Sequence, residues 1–193
     1  MIIGIAGKYG SGKGELASMI TDNMKGDAVR LSFADPIKEI VRVLIGNKPK
    51  DYHIPEYNMT VAKLYQVIGT NMFRDMIHKD IWVDHLKKRW GELNGSQDNN
   101  TIRWWPNNFI LIIDDLRFQN EVDWIRSNDG KIIYVESINI EREEESRKGR
   151  DNKHESENGI ISLDPDFIIR NNGSLDELEE HAKWICEEIE GVV

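Results

Sequence analysis

Residues Gly7-Lys8-Tyr9-Gly10-Ser11-Gly12-Lys13 place three glycines and a lysine at the spacing needed to enclose a phosphate. Glycines let successive backbone N–H groups curl around an anion without Cβ clashes. A helix starting at that point adds unpaired N–H groups and a positive dipole end. Lys13 then sets a full charge against the β/γ-phosphates of a nucleotide. The run follows the apolar segment Ile2-Ile3-Gly4-Ile5-Ala6 and precedes Leu16, Ala17, Ile20 and Met24 at helical spacing. Strand, glycine-rich turn, lysine and helix is the layout of a phosphate-binding P-loop. Lys8, Gly10, Ser11, Gly12, Lys13, Gly14 and Glu15 are therefore the candidate nucleotide-binding residues. One position departs from the pattern: a Ser or Thr that would ligate Mg²⁺ is replaced by Gly14. A glycine-rich turn that binds nothing is the plain alternative. A dinucleotide fold fits less well, since the glycines are not spaced G-x-G-x-x-G.

A second group that could do chemistry is Asp114-Asp115-Leu116-Arg117, after the apolar run at 109–113. In open α/β sheets ligands bind at the carboxyl ends of the strands, where an acid can hold Mg²⁺ directly or through water. Adjacent acids at a strand end point in different directions, so one of the two serves. Helix N-terminal acids are the alternative, more natural for Asp114 than for Asp115, which stands in register with Arg117 and Glu121. Asp115 is accordingly the expected metal-side acid.

The elements that must position these groups alternate. Strands are expected at 28–33, 109–113, 131–135 and 167–169 in addition to the first. Helices are expected from Pro36, over 61–72, over 82–93, around Val122 and Ile125, and after Ser174-Leu175-Asp176-Glu177, which spells a capping box. Residues 46–59, with Pro49 and Pro55, read as loop, and 95–106 as a polar insertion. The alternation predicts an α/β fold with a central parallel sheet of about five strands and helices on both faces, formed by one domain over 1–193.

Composition narrows the classes. The net charge of −9 argues against a general nucleic-acid binder, which needs a basic stripe. No apolar run nears the length of a membrane span, and no basic flank with a cleavage pattern opens the chain. Cys186 is the single cysteine, which leaves no disulfide framework and no cysteine-based zinc site. A cytoplasmic setting without membrane contact is expected.

Several stretches, in order, carry a resemblance: Gly10-Ser11-Gly12-Lys13, Ser32-Phe33-Ala34-Asp35-Pro36-Ile37-Lys38-Glu39, Gln66-Val67-Ile68-Gly69-Thr70 and Arg74. Asp80-Ile81-Trp82-Val83, Asp115-Leu116-Arg117-Phe118-Gln119-Asn120-Glu121, His154-Glu155-Ser156-Glu157 and Asn172-Gly173-Ser174-Leu175 continue it. Taken together the chain resembles the phage-type deoxynucleoside monophosphate kinases over nearly its whole length. The resemblance implies a P-loop NTPase, nucleoside monophosphate kinase-like fold. The implied activity is transfer of the γ-phosphoryl of ATP (or dATP) to a deoxynucleoside monophosphate, with Mg²⁺ as cofactor. Where that family has Asp then Thr or Ser, this chain has Gly14-Glu15.

Phosphoryl transfer needs in-line positioning and cations more than covalent help. Lys13 and the loop would hold the donor, and Arg74 would clamp the acceptor's α-phosphate, with Lys38 and Arg117 as further contacts. Gln66 offers both a donor and an acceptor to a base edge. Gly69 and Thr70 belong to the same acceptor region, about 35–93, and Trp82 either stacks on the base or packs in the core. Glu121 either orients Arg117 or reaches the nucleoside. Arg74 pairing with Asp75 or Asp80 is the competing reading.

At the charge run 141–150 the resemblance implies a lid of about 139–157, where Arg147 and Arg150, and less strongly Arg142, would close over the phosphates and His154 and Glu157 would fix the lid's return. A solvated helix face is the default reading of such a run. Trp104-Trp105-Pro106 reads as core packing or a subunit contact. The chain would act as a monomer or homodimer, in the host cytoplasm if phage-encoded. A P-loop kinase of another small acceptor, of the dephospho-coenzyme A type, and a non-catalytic nucleotide-binding protein are the other readings.

Overall fold

Continuous burial along the inner strands, shared between two faces, explains the sheet. In a computed structural model, which describes residues 1–8, 10–93, 109–137 and 163–191, strand β1 (Ile2–Gly7) turns Ile3 and Ile5 to one core and Ile2 and Ala6 to another. Strand β5 (Ile110–Ile113) divides the same way, with Ile110 and Ile112 on the first side and Leu111 and Ile113 on the second. A strand apolar on both faces is stable only with both faces covered. The first face is covered by helix α1 (Lys13–Asn23) through Leu16, Ala17 and Ile20, and by α6 (Leu175–Glu190) through Leu178, Ala182, Ile185 and Ile189. Helices α4 (Ile81–Leu93) and α5 (Gln119–Arg126) cover the other with Trp82, Val83, Leu86, Val122 and Ile125. Each such side chain taken from water contributes roughly 1.5–3 kcal/mol.

Strands β2 (Ala28–Leu31), β6 (Lys131–Glu136) and β7 (Phe167–Arg170) complete a parallel sheet of order β2-β5-β1-β6-β7. The five expected strands are therefore all present, with helices on both faces. The order places β1, which feeds the glycine loop, at the centre, between β5 and β6.

Two expectations need correction. Residues 46–59 are not all loop: β3 (His53–Ile54) pairs with β4 (Met59–Thr60) across a 3₁₀ turn at Pro55–Tyr57. The two prolines hid it, although Pro55 opens the turn rather than interrupting a strand. The helix expected over 61–72 is α3 (Val61–Gln66) followed by a π-helical segment, Val67–Asp75. Apolar spacing alone does not separate the two, because a single wide turn shifts it by only one residue. With α2 (Asp35–Ile45), these pieces build a third small core of Val41, Ile54, Val61, Leu64 and Ile68.

At the other expected boundary, Ser174 caps α6 by accepting from the N–H of Glu177 at 3.2 Å. Cys186 is buried in the first core, where desolvation pushes its thiol up to about 11. The insertion with Trp104-Trp105-Pro106 and the lid residues Arg142, Arg147, Arg150, His154 and Glu157 lie outside the described residues. Among the described residues no helix is long and apolar enough to cross a membrane.

Candidate active site

The glycine loop leaves β1 and turns sharply into α1. Gly10 and Gly12 both adopt left-handed backbone (φ +79° and +91°), which side-chain-bearing residues reach only with strain. Helix α1 starts without a side-chain cap, so its first-turn amides have no intrahelical acceptor and face the loop. Lys13 folds back across the loop, donating to the carbonyls of Gly7 at 2.7 Å and Lys8 at 2.6 Å. Ser11 Oγ is buried with no hydrogen-bond partner among the described residues. The uncapped first-turn amides of α1, a lysine lying across the loop and a polar atom still to be satisfied form an anion cradle. Asn171, just after β7, fixes the loop from behind: its buried side-chain amide donates to Ser11 O at 2.9 Å.

The two acids beyond β5 have separate jobs. Asp115 accepts from Ser32 Oγ at 2.6 Å and from the N–H groups of Ala34 at 2.8 Å and Phe33 at 3.0 Å. It thereby pins the turn between β2 and α2. Burial, opposed by the Ser32 hydrogen bond and reinforced by the charge of Asp114, raises its pKa. The metal role expected of Asp115 gains no geometric support from these bonds. Asp114 instead stands beside the loop, ion-paired with Arg30. Its Oδ2 lies 3.9 Å from where a Cβ on Gly14 would be. Gly14 carries no oxygen side chain, Glu15 is exposed, and no group of three or more metal-binding side chains converges among the described residues. This donor set makes no all-protein magnesium cage, so an ion here would rest mainly on nucleotide phosphates and water.

A cleft of about 710 Å³, its open mouth included, lies next to Asp115. Lys38, Gln66, Gly69, Thr70, Trp82, Asp115, Arg117 and Glu121 all line it, so residues scattered over eighty positions of sequence meet here. Several have a traceable support. Trp82 is buried, donates its indole N–H to Gly69 O at 2.7 Å and packs on Phe73, so it serves the core and walls the cleft at once. Lys38 pairs with Asp35 at 2.8 Å; burial lowers its pKa, but the Asp35 hydrogen bond and the charges of Asp35, Asp115 and Asp114 leave it raised. It is thus a dependable cation.

Arg74 lies over the ring of Phe118, its guanidinium carbon 3.9 Å from the centroid, with Asp75 3.6 Å away. The Asp75 alternative is thus realised, while Asp80 bonds to Asn120 at 2.9 Å. Phe118 itself lines the cleft, so Arg74 sits one side chain behind its wall.

Glu121 is the unusual acid. It is buried and accepts from the backbone N–H of Arg117 at 2.6 Å and of Phe118 at 3.0 Å. Burial first, then the charge of Asp115, push its pKa up to about 8. From about pH 4.5 to about 8 the folded chain thus keeps a proton that the unfolded chain has released, and stability falls as pH rises through that window. The wild-type melting temperature should drop between pH 5 and 8.5, and Glu121→Gln should flatten the drop. The difference could reach about 4 kcal/mol. Parallel slopes for both proteins in pH-resolved melts would contradict the raised pKa.

Sequence reasoning missed Arg30, Asn171 and Ser32 as site residues. A charge in the middle of the β2 segment Val29-Arg30-Leu31 was the one available signal for Arg30.

The comparisons with known proteins agree with this layout. A family model described as deoxynucleotide monophosphate kinase matches residues 46–182, more than half of the chain. A protein of Acanthamoeba polyphaga mimivirus, provisionally named a deoxynucleotide monophosphate kinase, is 27% identical over 195 residues, covering 92% of this chain and 91% of its own. Among solved structures, shikimate kinase from Aquifex aeolicus matches with a TM-score of 0.52 at 15% identity, covering 99% of this chain and 97% of its own. A gluconokinase from Sinorhizobium meliloti matches with a TM-score of 0.52 at 12% identity, over 97% and 91%. At such identities these two establish the fold alone, that of P-loop kinases. The family match goes further: this chain belongs to the deoxynucleotide monophosphate kinase family, and is a phosphotransferase.

Proposed function

We propose that the protein transfers the γ-phosphoryl of ATP or dATP to a deoxynucleoside 5′-monophosphate in the cleft, giving the diphosphate. The observation that carries this reading is the junction at Asp114 and Asp115. Asp114 borders the first turn after the glycine loop, and its neighbour Asp115 lines the cleft. Donor and acceptor sites thus share one wall, as in-line transfer requires.

In this mechanism the loop amides and Ser11 receive the donor phosphates, and Lys13 leaves the carbonyls of Gly7 and Lys8 for the β/γ-phosphates. Lys38 and Arg117 meet the acceptor phosphate from the cleft wall, with Arg74 behind Phe118 supplying further positive charge. Gln66 and the carboxyl of Glu121, protonated near neutrality, are suited to the edge of a base, since together they present donors and acceptors. Thr70 and Trp82 shape the nucleoside end. Arg147 and Arg150 are proposed, from sequence, to close over the phosphates and exclude water. Any Mg²⁺ is carried by the nucleotide's own phosphates and water. The chain would work as one domain in the cytoplasm, as a monomer or homodimer.

The test is ADP formation from Mg·ATP with dGMP, dTMP, dCMP and dAMP supplied singly. Turnover is expected with at least one acceptor and negligible without any. ATP binding without turnover on all four would favour another small acceptor or the non-catalytic reading, to which Gly14 and Glu15 lend themselves.

A further inference from the structure

We propose that Arg30 is a second donor-phosphate contact, a cation built into the fold at the place where P-loop proteins direct a hydroxyl toward magnesium. The inference rests on the nucleotide-binding reading above. A Cβ built on Gly14 would lie 3.3 Å from an Arg30 guanidinium nitrogen and 3.9 Å from Asp114 Oδ2. The direction a Ser or Thr side chain takes from this position therefore runs into the Arg30–Asp114 pair. In P-loop enzymes that hydroxyl holds the metal that neutralises the β/γ-phosphates. Here the same space contains a permanent positive charge.

The chemistry suits the place. A guanidinium has five N–H donors in a planar fork, and pairing with one carboxylate leaves several of them to bind phosphate oxygens. Arg30 retains access to solvent, with 39% of its side chain exposed, while Asp114 is 14% exposed and acts as the anchor. The glycine at 14 leaves room for the approach: a methyl group there would require the guanidinium to give by a few tenths of an ångström. With Lys13 on the neighbouring residue, two cations converge on the start of α1, whose amides add to the field. An ordinary strand-end ion pair is the competing explanation, and such pairs contribute little to stability.

The two explanations separate in the affinity for a non-hydrolysable ATP analogue, measured by calorimetry in EDTA and again in Mg²⁺. In EDTA, Arg30→Gln should weaken binding about tenfold or more, the effect of losing a charged phosphate contact. Arg30→Lys should recover part of it. Asp114→Asn keeps the guanidinium and an acceptor oxygen beside it, and should weaken binding less than Arg30→Gln does. Thermal melts on every variant confirm folding, and Arg30→Lys carries the test if Arg30→Gln does not fold.

Wild-type affinity in EDTA for Arg30→Gln, or equal losses in Arg30→Gln and Asp114→Asn, would overturn the proposal. In those cases the nucleotide-binding reading survives provided Lys13→Ala still loses the analogue. A wild type that binds no analogue under either condition would remove that reading and this inference together.

Discussion

Lys13→Ala should lower acceptor-dependent ADP formation by about 10²–10³-fold or more, the usual loss when one preorganised charge stabiliser is removed. The fold should not suffer. Lys13 opens α1, where a positive charge opposes the helix dipole, and alanine is a good helix former at that position. Its hydrogen bonds to Gly7 and Lys8 go to loop carbonyls, the second at an exposed site. Melting temperature should therefore stay the same or rise slightly while turnover is lost. Comparable turnover in the variant, at matched protein concentration, would refute the assignment of the loop as the donor site.

Gly12→Ala should be a severely damaging small change. Two costs coincide. The left-handed backbone at Gly12 (φ +91°) charges a side-chain-bearing residue about 1–2 kcal/mol. The added methyl also collides with the side-chain amide of Asn171, the group that holds Ser11 O. Displacing Asn171 forfeits a buried hydrogen bond, roughly 1–3 kcal/mol. A total of about 2–5 kcal/mol is expected in denaturant unfolding, together with loss of nucleotide binding. Asn171→Ala added to Gly12→Ala should relieve the collision and leave the backbone cost. Strict additivity of the two single changes would mean that they do not meet, contrary to the geometry.

Much of this molecule could be read from its residues, for identifiable reasons. Ile110–Ile113 is apolar on every side, which only an inner strand covered on both faces tolerates, and it is one. The glycine loop announced itself because each of its residue types has a local cause. The hairpin at 53–60 did not, since each of its strands has two residues and no alternation can be seen over that length. Asn171 and Ser11 are 160 positions apart, and their contact follows from strand order, which puts β7 beside β6, itself the neighbour of the central strand. The roles of Asp114 and Asp115 were likewise beyond sequence. Which of two neighbouring acids meets Arg30 and which meets Ser32 is decided by the register of β2 against β5.

The wide-turned stretch Val67–Asp75 has a consequence for how this enzyme can change over time. It holds one more residue per turn than its surroundings need, and Gly69 and Thr70, which line the cleft, lie inside it. Shortening the chain there by a single residue would tighten one of its turns toward ordinary helix. The cleft wall at Gly69 and Thr70 would shift, and so would Ile68 in the third core, Phe73 against Trp82 and the Gly69 carbonyl that Trp82 bonds. Chain length across these nine residues thus ties the shape of the cleft to the packing beneath it.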